Sequence, residues 1–227
     1  MFLAAACPIM EPDPQAVTTK TAPQTIALVD YGAGNLRSAR RALETVGAHV
    51  TITNDPAELL KADRIVLPGV GAFGQCIGAL RDIPGLEAAL HEAVMERRRP
   101  FLGICVGMQL LASEGHEHGV HRGLGWIEGT VTRLTPTDPA LKVPHMGWNQ
   151  IASTRANQIP PGNAYFVHSY RFNAANPMDV RAVTTHGEDL PALIGRANIT
   201  GVQFHPEKSQ AYGLAFLADW LKDGRWH

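Results

Sequence analysis

Cysteine is scarce in this chain: there are three, Cys7, Cys76 and Cys105, and no two of them form a C-x-x-C pair. That excludes a disulfide framework and a cysteine-ligated zinc site, and it fits a reducing, cytosolic setting. Clustered positive charge is equally scarce. Arg97-Arg98-Arg99 is the longest basic run and the net charge is −1, so a nucleic-acid partner is not expected. No apolar run is long enough to span a bilayer. The mildly apolar start, Met1 to Met10, lacks the positive flank of a signal peptide.

What the chain has is an apolar pool of 45% in 227 residues, enough for one large α/β domain. Residues 1–24, with Pro12, Pro14 and a Thr-rich stretch, read as a flexible N-terminal extension. The domain then occupies 25–227. It opens on a buried strand from Thr25 to Asp30, turns at Tyr31 to Asn35, and continues as a helix from Leu36 to Val46 that Gly47 ends. Val50 to Thr53 is a second strand, Asn54-Asp55-Pro56 a helix start, and Arg64 to Leu67 a third strand. Leu86, Ala89, Leu90, Ala93 and Val94 recur at helical spacing ahead of a strand at Phe101. Repeated βα units predict a doubly wound, mostly parallel sheet with flanking helices. Strand-like runs at Thr130 to Leu134, Tyr165 to Phe172, Val180 to Thr185 and Ile199 to Phe204 lack long intervening helices, so additional antiparallel strands are expected there. Leu214, Leu217, Ala218 and Leu221 form the inward stripe of a closing helix, stopped at Gly224.

The centre of the sequence is the run from Phe101 to Leu111, FLGICVGMQLL. A strand leads into Gly103-Ile104-Cys105-Val106-Gly107, and a helical pattern follows with no loop between. A nucleophile on a tight strand-to-helix turn needs this arrangement, with glycines where Cβ atoms would collide. The start of the next helix then lies under the sulfur, where its dipole favours an anion. A buried structural cysteine is the competing reading. The loop from Pro68 to Gly74 carries a complete G-x-G-x-x-G, formally a dinucleotide fingerprint. That fingerprint belongs to the first βα turn, with an acidic residue about 20 positions on. Here the loop follows the third strand, and Glu87 and Glu92 fall in a helix. Its glycines instead free backbone N–H groups to face an oxyanion beside Cys105. His116, His118 and His121, in the polar stretch from Ser113 to Gly125, suggest a metal site on spacing alone, but no cysteine or carboxylate cluster supports it, and an exposed loop is the simpler reading.

Gln203-Phe204-His205-Pro206-Glu207 decides how Cys105 is read. In an extended segment residues two apart share a side, so His205 and Glu207 stand together, with Pro206 stiffening the backbone. Their order suits a relay in which His205 takes the Cys105 proton and Glu207 fixes the imidazole tautomer.

These motifs together resemble the class I, triad-type glutamine amidotransferases. Asp30 to Leu36, Pro68 to Phe73, Pro144 to Asn149, Tyr165 to Tyr170 and Phe204 to Ser209 resemble, within them, the glutaminase subunits of imidazole glycerol phosphate synthase. The resemblance covers about Thr25 to Leu221. It implies that Cys105, His205 and Glu207 are catalytic. Backbone groups of Gly69, Val70, Gly71 and Val106 would form the oxyanion site, and Gln109, His168, Ser169 and Tyr170 would hold the amino-acid end of glutamine. Met146, Trp148, Tyr165 and Lys208 match positions near a subunit interface. The implied partner is a separate (β/α)8-barrel cyclase subunit in a heterodimer, which uses the ammonia to make imidazole glycerol phosphate and an aminoimidazole carboxamide ribonucleotide. No cofactor or metal is implied. A γ-glutamyl peptidase or another synthase's glutaminase on the same scaffold, and a binding module with a vestigial triad, stay open.

Overall fold

The computed structural model describes residues 24–155 and 159–222, so the expected extension lies outside the described residues except for Gln24, as does Gly224. The first half alternates strand and helix: β1 (Thr25–Val29), α1 (Leu36–Thr45), β2 (His49–Thr53), α2 (Pro56–Leu59), β3 (Arg64–Gly69), α3 (Phe73–Asp82), α4 (Leu86–His91), β4 (Phe101–Cys105) and α5 (Val106–Gln109). The second half is mainly strands: β5 (Glu114–Gly115), β6 (His121–Arg122), β7 (Gly129–Arg133), β8 (His145–Ser153), β9 (Gly162–His168), β10 (Tyr170–Ala174), β11 (Val180–Thr185), β12 (Asp189–Arg196) and β13 (Ile199–Val202). Helix α6 (Gln210–Leu221) closes the described chain.

Among the described residues, one sheet runs β2-β1-β3-β4-β13-β12-β11-β8-β9 and a smaller one β10-β7-β5-β6. The five strands from β2 to β13 are parallel, and the rest of the large sheet is antiparallel. This is the doubly wound α/β sheet with antiparallel additions that the βα repeats predict. β1, β3 and β4 are buried along almost their whole length, as strands covered on both faces must be. Helix α1 packs against α6, and α2 and α3 against α4.

Local chemistry explains the helix limits. The Asn35 side chain accepts from the Ser38 N–H, and Gly47 leaves α1 with a φ of 94°. Asp55 caps α2, with Pro56 in its first turn. The stripe from Leu86 to Val94 is buried throughout, although α4 gives way to a π-helical segment, Glu92–Glu96, inside it. Buried Arg64 joins the start of β3 to the end of α6: its Nη2 donates to the Leu221 carbonyl at 2.8 Å and its guanidinium lies 5.1 Å from the Trp220 ring centroid.

Three expectations are corrected. Tyr165 to Phe172 is not one strand. It divides at Ser169 into β9 and β10, which belong to different sheets; Tyr165, Phe166 and Val167 before the break and Tyr170 and Phe172 after it are all apolar, so the crossing leaves no gap in the pattern. The inward face of α6 is Gly213, Phe216, Leu217, Trp220 and Leu221, while Leu214 and Ala218 are only partly buried. The stretch from Ser113 to Gly125 is not simply an exposed loop. It supplies β5 and β6, and His121 packs so closely on Gly74 that a Cβ there would lie 2.7 Å from the ring. No group of His, Cys, Asp or Glu able to hold a metal occurs among the described residues.

Candidate active site

Cys105 ends β4 with φ 55° and ψ −112°, a conformation L-residues rarely adopt. The turn is made possible by two glycines. A Cβ on Gly103 would lie 2.6 Å from the Gly107 carbonyl oxygen, and one on Gly107 only 1.9 Å from that of Leu67. Strand and helix backbones therefore touch. Helix α5 is shorter than the sequence pattern suggests, a single turn from Val106 to Gln109, so the backbone N–H groups at its start matter more than any long dipole.

His205 and Glu207 follow β13, the parallel neighbour of β4. His205 Nδ1 lies 2.8 Å from Glu207 Oε1, and both side chains are 3% exposed. With Nδ1–H donated to the carboxylate, Nε2 is the free position of the neutral ring. It is buried without an aligned hydrogen-bond partner, the open geometry common in triads before substrate tightens them. Burial works against charge on His205, but its interactions with Cys105 and Glu207 outweigh it and raise the imidazole to about 9. Ser209 straps this segment down. Its hydroxyl donates to the His205 carbonyl at 2.6 Å and accepts from the Tyr165 N–H at 2.9 Å.

Cys105 opens into a cavity of about 290 Å³ lined by Val70, Gly71, Val106, Gln109, Glu117, Pro144, Val167, His168, Ser169 and Tyr170. The expected oxyanion and substrate residues are thus brought together, except Gly69, which lies beneath them against Gly107. The loop has fixed anchors: the Tyr31 hydroxyl donates to the Pro68 carbonyl at 2.7 Å, and the Cys76 thiol to that of Val70 at 3.4 Å. Burial pushes the Cys76 thiol up to about 11. Glu117 is a pocket residue that sequence reasoning missed, because it sits among the histidines of a stretch read as exposed. Its Oε2 accepts from the Phe73 N–H at 2.7 Å, at the start of α3.

A chain of hydrogen-bonded groups supports the far wall. Asn149 Nδ2 lies 3.0 Å from His145 Nε2, His145 Nδ1 lies 2.9 Å from His168 Nε2, and His168 Nδ1 lies 2.8 Å from the Tyr170 carbonyl oxygen. A carbonyl only accepts, so one set of tautomers satisfies every link with both rings neutral. Burial and the neighbouring histidines lower His145 and His168 to about 4. Met146 and Trp148 project from the other side of β8 and are 63% and 50% exposed. Trp148 pairs with Tyr165 edge-on, and Lys208 Nζ lies 5.7 Å from the Tyr165 ring centroid. The four expected interface residues therefore form one surface.

A cysteine on a strained elbow beside a buried histidine–carboxylate pair is an arrangement that nucleophilic hydrolases and transferases use. The family model for glutamine amidotransferase class-I matches residues 27–223. Imidazole glycerol phosphate synthase subunit HisH of Zymomonas mobilis subsp. mobilis is 57% identical over 205 residues, 88% of this chain and 96% of that one. The subunit HisH of Rhodospirillum rubrum is 54% identical over 209 residues, 87% and 98% of the two chains. The chain therefore belongs to the class-I glutamine amidotransferases and, within them, to the HisH glutaminase subunits of imidazole glycerol phosphate synthase. At fold level, it matches a crystal structure of a glutamine amidotransferase with a TM-score of 0.69 at 19% identity, covering 86% of this chain and 98% of that one. It also matches PurLQS from Thermotoga maritima with a TM-score of 0.65 at 18% identity, covering 87% and 97%. No helix among the described residues is long and apolar enough to cross a membrane.

Proposed function

We propose that Cys105, His205 and Glu207 hydrolyse glutamine and that the ammonia passes to a (β/α)8-barrel cyclase subunit bound in a heterodimer, in the cytoplasm. The buried His205–Glu207 pair beside the strained Cys105 turn carries this reading. Cys105 Sγ, its proton held on His205 Nε2, attacks the side-chain carbonyl carbon of glutamine as the thiolate. The oxyanion meets backbone N–H groups from Val106 and the loop of Gly69, Val70 and Gly71. Collapse expels the amide nitrogen, to which His205 returns the proton, giving ammonia and a glutamyl thioester. Water then attacks the thioester with His205 as base, releasing glutamate and the thiol. The amino-acid end is held by Gln109, the backbone of His168, Ser169 and Tyr170, and the Glu117 carboxylate, whose charge suits an α-ammonium group. Met146, Trp148, Tyr165 and Lys208 present an apolar and cationic face to the barrel.

The test divides the two chemistries. Cys105→Ala in the complex should abolish glutamine-dependent synthesis of imidazole glycerol phosphate yet leave synthesis from ammonium salt at alkaline pH near wild type. Loss of both would assign Cys105 a structural role and sink the proposal.

A further inference from the structure

Gln203 lies buried in the bend that follows β13, two residues before His205. Its amide touches both halves of the site: Oε1 accepts from Gln109 Nε2 at 3.0 Å, and Nε2 points at Cys105 Sγ from 3.8 Å. The orientation of that amide is dictated by its neighbours. Gln109 faces the Tyr170 carbonyl at 3.2 Å, and a carbonyl only accepts, so the group presented there is the Gln109 NH₂. The second hydrogen of the same NH₂ reaches Gln203, which must meet it with oxygen. The NH₂ of Gln203 is left facing the sulfur.

We propose that Gln203 is a positioning residue that donates to the Cys105 thiolate and holds Sγ beneath the pocket. Because Gln109 sets the direction of the donor, the side chain that grips glutamine also readies the nucleophile. The proposal deepens the glutaminase reading and rests on it. A donor to an anion is worth more than one to a neutral group, so the contact acts mainly once the thiol has ionised.

The full chain is reacted with iodoacetamide from neutral to alkaline pH, with modification of Cys105 followed by peptide mass so that Cys7 and Cys76 do not contribute. Q203E keeps the acceptor for Gln109 but removes the donor, and Q203M removes both. At neutral pH each should slow Cys105 alkylation by about tenfold or more, with the deficit shrinking as pH rises. Q109E, which forces the Gln203 amide to reverse without altering it, should slow alkylation likewise. Wild-type rates in Q203E and Q203M overturn the proposal. So does a deficit equal at every pH, the mark of a purely structural lesion. If neither position-203 variant folds, Q109E decides alone, and a wild-type rate there overturns it. The glutaminase reading fails separately: a glutamine-like diazoketone that spares wild-type Cys105 even in the complex with the liganded barrel partner, while iodoacetamide labels it, would remove that reading and leave the Gln203 contact standing.

Discussion

Gly69 and Cys105 are register partners, the last pair of the adjacent parallel strands β3 and β4. The glycine loop and Cys105 thus leave the sheet at one level, with Val70 and Gly71 lining the cavity into which the sulfur opens.

Gly71 holds a φ of 104°, so Gly71→Ala strains the loop although its Cβ would meet only Gln75 Oε1, at 3.9 Å. One lost oxyanion donor costs about 10²–10³ in rate. If a liganded barrel partner aligns this loop and so stimulates the glutaminase, the stimulated rate should fall toward the basal rate, while glutamine binding changes less. Thioester formation and turnover, measured alone and with liganded partner, provide the check. A wild-type subunit as fast alone as in the liganded complex would show that the loop gates nothing.

Glu207→Gln should preserve the fold and lower turnover by about 10²–10⁴, since an amide cannot support the imidazolium as a carboxylate does. His205→Asn should be at least as damaging. In the double variant the losses should not add, because the residues act as a unit; additive losses in kcat/KM would count against a shared relay.

Glu117→Gln removes charge but keeps an acceptor for the Phe73 N–H. KM for glutamine should rise about tenfold through the lost charge-assisted bond to the α-ammonium group, with kcat and the unfolding midpoint changing little. An unchanged KM would place the α-ammonium group elsewhere.

Histidines shape both limbs of the pH–stability profile. His145 and His168 titrate near 6.5 when unfolded and near 4 when folded. The unfolded chain binds more protons between these values, so stability falls as pH drops through that window. His205, raised to about 9, contributes stability that is complete below 6.5 and is lost as pH rises through 9. Urea unfolding across this range should show both limbs, and His205→Asn should flatten the alkaline one. A flat acid limb would contradict the neutral His145–His168 pair.

Much of this site was legible because its chemistry is local in sequence. The glycines around Cys105 and the closeness of His205 to Glu207 each lie within a few residues, although the expected extended segment is instead a 3₁₀ turn over Pro206–Lys208, which brings the two side chains together by a different backbone path. What escaped depends on distant packing. Helix α3 buries Phe73, Cys76, Ile77 and Leu80 at helical spacing, but Gly74 and Gly78 weaken its propensity and the glycine loop before it drew the reading elsewhere. Strands β8 and β12 carry Gly147, Pro191 and Gly195, residues that read as breaks. Glu117 gains its place only when β5 and β6 fold its stretch across the mouth of the pocket.

Strand β8 places His145 and Asn149 on one side and Met146 and Trp148 on the other. A two-residue repeat therefore separates two kinds of constraint along a single segment. Substitutions of Met146 and Trp148 on the outer side can change the exposed surface without disturbing the proton-ordered chain behind the pocket. A slip of register by one residue would exchange the sides and damage both at once. The exposed face and the pocket's support are thus independently adjustable in composition while locked together in alignment.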